Sequence, residues 1–155
     1  MYRNILLAYD GTLEGRVALR EGALLAKRCE AKVVLLAVID TAASVSVVGE
    51  AGLAYVPRHQ PADFQEILDE GVARLTRLGL DHTALLRSGD PVTCIVEVAN
   101  EVGSDLVVVG HHKQGTLARW LVGSVTATLI DRLNCSLLTG CLYVSEEDLF
   151  GTSVG

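Results

Sequence analysis

Short, uninterrupted apolar runs recur along the chain, separated by segments of helical spacing, and this alternation restricts the fold more than any other feature. Residues 4–9 (Asn-Ile-Leu-Leu-Ala-Tyr), 32–39 and Leu106–Val109 are apolar at successive positions rather than at every second one. A strand reads this way when both faces are buried, as in a parallel sheet covered by helices on each side. Between the runs, apolar residues fall three and four apart. A helix is predicted over about 13–29, started by Thr12 and with Leu13, Val17, Ala18, Leu24 and Leu25 on its inner side. A second over about 62–79 carries Phe64, Ile67, Leu68, Val72 and Leu75 and stops at Gly79. Asp90-Pro91 opens a third, because Asp caps free amides and Pro at the first helical position gives up an N–H that has no partner there. Val92, Ile95, Val96, Ala99 and Val102 form its stripe, and a fourth helix runs over about 124–133. Two further strands, His82 to Arg87 and about 135–139, complete the series. The arrangement expected is α/β: a doubly wound, five-stranded parallel sheet in the order 3-2-1-4-5, with helices on both faces, in a single domain.

The 155 residues suit one domain. The α/β unit is expected over 1–142, with a flexible insertion at about 41–61 and a loose tail over 143–155. The insertion holds Gly49, Gly52, Pro57 and Pro61 and is too long for an ordinary connection, so it is read as a lid or a small flap. A net charge of −6 disfavours a general nucleic-acid or acidic-membrane binder, and 5% aromatic content argues against base-stacking surfaces. No apolar run reaches the roughly 18 residues of a membrane span. The opening residues lack the features of a signal peptide, so a cytoplasmic location is expected. Cys29, Cys94, Cys135 and Cys141 show no metal-ligand spacing and read as plain thiols.

In a doubly wound sheet, ligands bind beyond the carboxyl ends of the strands where the strand order reverses. With the first strand central, that crevice lies between the first and fourth parallel strands. Tyr9-Asp10-Gly11-Thr12 and Gly110–Thr116 then flank it. Gly110-x4-Gly115-Thr116 superficially resembles a phosphate-binding P-loop, but its Lys is at 113 rather than next to the Thr, and no G-x-G-x-x-G follows any strand. What remains is the longer element from Gly110 to Val125. Ser124 stands as an N-cap before the stripe Val125, Leu129, Leu133, where free amides attract an anion. Gly110 is expected to allow a tight turn and Gly123 a close phosphate approach, while His111, His112 and Lys113 add positive potential.

These residues, with the Ile5-Leu6-Leu7-Ala8-Tyr9-Asp10-Gly11-Thr12 opening, Leu36-Ala37-Val38-Ile39-Asp40 and Gly89-Asp90-Pro91, make the chain similar to the universal stress proteins over about 1–140. Nucleotide-binding members of that family carry G-x2-G-x9-G-[ST] after the fourth strand. Gly110, Gly123 and Ser124 match at the right spacing, and Lys113 replaces the second glycine. The resemblance implies ATP, or AMP or ADP, across the crevice, with Mg2+ brought by the phosphates. It implies a site made of Ala8, Tyr9, Asp10, Val38, Val109, Gly110, His112, Lys113, Gly123, Ser124 and Val125. Asp10 would contact the nucleoside end and the backbone of Val38 the adenine edge. Lys113 either strains the loop or adds a charge to the phosphate end.

Simpler roles stand beside these. Asp10 could serve only the first turn of the following helix, and Trp120 reads as a packing anchor. No nucleophile elbow, Cys/His pairing or kinase-type loop is present and nothing marks a general base, so slow ATP hydrolysis is the most an enzyme reading allows. The function expected is nucleotide-dependent regulation in stress response, through conformation or an unknown protein partner. The alternative is a protein-interaction member of the same family with a vestigial pocket; a subunit like an electron-transfer flavoprotein is more distant. The apolar segment Cys135–Val144 at a sheet edge predicts a homodimer through the C-terminal edge strand. No nucleic acid partner and no membrane insertion are expected.

Overall fold

A computed structural model describes residues 1–41, 44–49, 52–57, 61–111 and 124–140. Its elements, in chain order, are β1 (Asn4–Ala8), α1 (Leu13–Cys29), β2 (Lys32–Asp40), β3 (Ser44–Gly49), β4 (Gly52–Pro57), α2 (Pro61–Arg77), β5 (His82–Gly89), α3 (Pro91–Glu101), β6 (Leu106–Gly110), α4 (Ser124–Arg132) and β7 (Ser136–Gly140). Five of the strands form one sheet in the order β5-β2-β1-β6-β7, and every neighbouring pair in it is parallel. With β3 and β4 set aside, this is the 3-2-1-4-5 order of a doubly wound α/β domain.

The continuous apolar runs are explained by burial on both faces. Ile5, Leu7, Val33, Leu35, Leu106 and Val108 pack with buried residues of α1 and α2. Leu6, Leu36, Val107 and Val109 pack instead with α3 and with Leu129 of α4. Leu24 and Leu13, expected on the inner side of α1, are 44% and 39% exposed. The buried stripe of α1 contains small residues, Gly15, Ala18, Gly22, Ala23 and Ala26, alongside Val17 and Leu19. Small residues let the helix axis approach the sheet closely, which Leu side chains at these positions would prevent.

The caps follow their chemistry. Thr12 accepts the Gly15 amide at 3.1 Å, and Asp90 accepts the Thr93 amide at 2.8 Å with Pro91 in the first turn. Gly79 adopts φ +70° after α2, and the Leu80 amide reaches back to the Leu75 carbonyl at 3.2 Å, closing the helix. The 41–61 segment, read from its small and turn-forming residues as a lid or small flap, contains an antiparallel hairpin of β3 and β4 in register from Ser44↔Pro57 to Gly49↔Gly52. The β-formers Val45, Val47, Val48, Tyr55 and Val56 supply the propensity, and two glycines end the paired region at the turn. No helix among the described residues is long and apolar enough to cross a membrane. Cys29, Cys94 and Cys135 are free thiols; Cys141 lies outside the described residues.

Candidate functional site

The two ends of the sheet differ. At the amino end, Asp105 seals the start of β1 by accepting the Arg3 and Asn4 amides at 2.7 and 3.1 Å. At the carboxyl end, β1 and β6 lie side by side, and the helices that come next in the chain pack on opposite faces of the sheet, α1 on one and α4 on the other. This is where a doubly wound sheet leaves a crevice.

Asp10 follows β1 and is 6% exposed. Its Oδ1 accepts the Thr12 amide at 3.0 Å and the Thr12 hydroxyl at 2.6 Å, and that hydroxyl oxygen in turn accepts the Gly15 amide. A buried carboxylate is tolerated when donors of this kind surround it. A Cβ at Gly15 would collide with Asp10 Oδ1, so the helix can start beside the carboxylate only without one. Gly110 meets the same turn from the other side. A Cβ there would lie 2.8 Å from the Gly15 nitrogen and 2.9 Å from the Glu14 carbonyl carbon. The tight turn expected of Gly110 is not what demands glycine. It is the last residue of β6, is not among the positive-φ glycines, and pairs in register with Gly140. Close approach of α1 excludes a side chain at 110.

Thus Asp10 and Gly110 converge on the first turn of α1. Ala8, Tyr9, Val38 and Val109 are 7, 0, 0 and 0% exposed, so any role for them at the crevice falls to the backbone. The β1–β2 register ends at Ala8↔Leu36, and the Leu36 carbonyl accepts the Tyr9 amide at 2.8 Å. Strand residues two apart direct their N–H and C=O to the same side. Val38 therefore turns one donor and one acceptor toward the crevice, beyond the last β1 pair. Ser124 is the first residue of α4 and Val125 the second, so the expected N-cap lies one residue inside the helix. His112, Lys113 and Gly123 lie outside the described residues.

The Tyr9 side chain leads away from the crevice into a polar cluster that sequence reading missed. Its hydroxyl donates to Glu70 Oε2 of α2 at 2.9 Å, and Glu70 Oε1 accepts from Arg16 at 2.9 Å and Arg74 at 2.7 Å. Burial and the hydrogen bond to Glu70 push the Tyr9 phenol up to about 12. Burial alone would raise the Glu70 carboxyl; the bonds from Arg74 and Tyr9 and the charge of Arg16 outweigh it and hold Glu70 below the usual carboxylate range. A cavity of about 550 Å3 opens beside this cluster, walled by Asp10, Thr12 and Arg16 on one side and by Ile67 and Glu70 on the other. Tyr9 and Glu70 are 61 residues apart. The only local sign of the cluster is the Glu70/Arg74 spacing of four, which many exposed helix pairs share.

The strand order, with its reversal between β1 and β6, defines a doubly wound α/β domain. The family model described as the universal stress protein family matches residues 1–139. A relative from Staphylococcus haemolyticus that carries the universal stress protein name is 31% identical over 141 residues, 88% of this chain and 83% of its own. Among solved structures, a universal stress protein in complex with cAMP is 26% identical with a TM-score of 0.67, covering 90% of this chain and 97% of its own. One from Burkholderia pseudomallei is 27% identical with a TM-score of 0.66, covering 89% and 95%. The chain belongs to the universal stress protein family.

Proposed function

We propose that this protein binds an adenine nucleotide, ATP or AMP or ADP, and acts in stress response or regulation through nucleotide-dependent conformation or partner choice. The observation that carries the reading is the placement of Asp10, Gly110 and the β1-facing backbone edge of Val38 at the carboxyl end of the sheet, where the strand order reverses. One N–H and one C=O from Val38 match the acceptor and amine on the adenine edge, whereas guanine offers the opposite pattern. Asp10 would serve the nucleoside end. Gly110, His112, Lys113, Gly123, Ser124 and Val125 would surround the ribose and phosphates, with the N-terminus of α4 favouring negative charge. A family member of the same fold in complex with cAMP supports the adenine class. Mg2+ would arrive with the phosphates, and catalysis beyond slow hydrolysis is not part of the reading.

A second reading, a protein-interaction member with a vestigial pocket, is favoured by two observations. Lys113 replaces a motif glycine, and Asp10 Oδ1 already serves Thr12. Calorimetric titration separates the two. ATP is expected to bind with GTP at least tenfold weaker, and Ser124→Ala to lose about 0.5–2 kcal/mol of ATP binding. Weaker binding by Lys113→Gly with a shallower salt dependence would place the lysine on phosphate. Absence of heat and of thermal stabilisation with ATP, ADP and AMP would favour the vestigial reading.

A further inference from the structure

We infer that Glu70, gripped by Arg16 and Arg74, is a positioning residue that sets Asp10 for the nucleoside end of the ligand by holding the hydroxyl of the preceding residue, Tyr9. This rests on the adenine-nucleotide reading above and extends the site to α2, which the sequence motif does not include.

The geometry has three parts. The Tyr9 ring is fully buried beneath α2 at Gly71, where a Cβ would sit 2.9 Å from the ring Cδ1. The glycine therefore allows the ring and helix to meet at a fixed distance. The ring tip is tied by its hydroxyl to Glu70 Oε2, while the backbone end is tied by the Tyr9 amide to the Leu36 carbonyl. With both ends of Tyr9 held, the planar peptide that leads into Asp10 starts from a fixed point, and Asp10 Oδ1 is set from there against the Thr12 amide and hydroxyl.

A phenylalanine would fill the same apolar space without needing a partner, so packing alone does not call for the hydroxyl and its carboxylate. What the polar cluster adds is direction, because a hydrogen bond fixes an angle that ring packing leaves free. Glu70 is itself immobilised from two helices, by Arg74 four residues on and by Arg16 across the gap from α1. The roughly 550 Å3 cavity separates α1 and α2 at this level, and the Arg16–Glu70 pair bridges it. A shift of α2 relative to α1 would thus be felt first at Tyr9 and then at Asp10.

The test titrates the full chain with ATP and, separately, with tripolyphosphate, which can reach the phosphate end but has no nucleoside. Tyr9→Phe keeps the ring and is expected to weaken ATP about three- to tenfold while leaving tripolyphosphate unchanged. Asp10→Asn is expected to weaken ATP as well, and adding Tyr9→Phe to it should cost little more, since both act through one carboxylate. Glu70→Gln, which keeps an acceptor for the hydroxyl, should hold ATP better than Glu70→Ala. These two variants carry the test if Tyr9→Phe fails to fold. Unchanged ATP affinity in a folded Tyr9→Phe chain, an equal loss for tripolyphosphate, or full additivity with Asp10→Asn would each overturn the inference while leaving nucleotide binding standing. A wild-type chain that binds no ATP would instead remove the nucleotide reading, and this inference with it.

Discussion

Gly110 shows how much one missing carbon decides. The sequence marks it as part of a glycine motif and so points to a tight turn after the strand, but the structure places the first turn of α1 directly over it. A methyl group at 110 would meet backbone atoms, which cannot rotate aside as a side chain can. Gly110→Ala is therefore expected to destabilise the fold by about 1–3 kcal/mol, measured by urea unfolding. A loss below a few tenths of a kcal/mol would mean that α1 can lift away, and that glycine at 110 answers to the ligand alone. Asp10 was legible as a site candidate because an acidic residue ends a buried strand. Its dependence on Gly15 and its neighbour's bond to Glu70 were not, because neither contact leaves a mark at fixed spacing.

At the scale of the element, the helix starts were the most readable features, since a cap works through atoms within three residues of itself. Asp90 accepts both the Thr93 amide at 2.8 Å and its hydroxyl at 2.7 Å. The Thr93 hydroxyl and then its amide hold the Asp90 carboxyl below its ordinary value of 3.8, with Arg132 adding to the effect against a little burial. Asp90→Ala should cost about 0.5–2 kcal/mol at neutral pH, as N-cap losses do. A folded-state value below the unfolded one means that the contribution is complete above pH 3.8 and disappears as pH falls through the folded-state value. The gap between wild type and Asp90→Ala should therefore narrow in acid below about pH 4; a gap that stays constant from pH 7 to pH 3 would contradict a charged cap. The inner face of α1 was less readable. Hydrophobicity selected Leu13 and Leu24 along with the buried Val17 and Ala18, whereas packing distance selected Gly15, Gly22, Ala23 and Ala26.

For the whole molecule, β7 occupies one edge of the sheet, opposite β5. An edge strand presents N–H and C=O groups that a second copy can pair. The Ser136 amide bonds the Asp105 carbonyl and the Gly140 carbonyl accepts the His111 amide, so even-numbered residues of β7 face β6. Leu137 and Thr139 then direct their backbone outward. A homodimer through this edge predicts a light-scattering mass of twice 16.5 kDa. Thr139→Pro, which removes an outward N–H and spares the bonds to β6, should give a folded monomer. A single-chain mass for the wild type at micromolar concentration, or a Thr139→Pro chain that remains dimeric, would exclude this edge as the interface.

The order of the sheet strands and helices, the parallel sheet with both faces buried, and the helix caps at Thr12 and Asp90 were legible in the amino-acid sequence. Each follows from interactions within a few residues or from periodicity, which depend on local composition alone. The tertiary structure decided the rest: the small-residue face of α1, the reason for glycine at 110, the hairpin within 41–61, and the recruitment of α2 through Tyr9 and Glu70. Those features depend on distances between elements far apart in the chain. A close approach or a buried hydroxyl bonded to a carboxylate 61 residues away has no periodicity to betray it. It exists only once the helices have docked on the sheet.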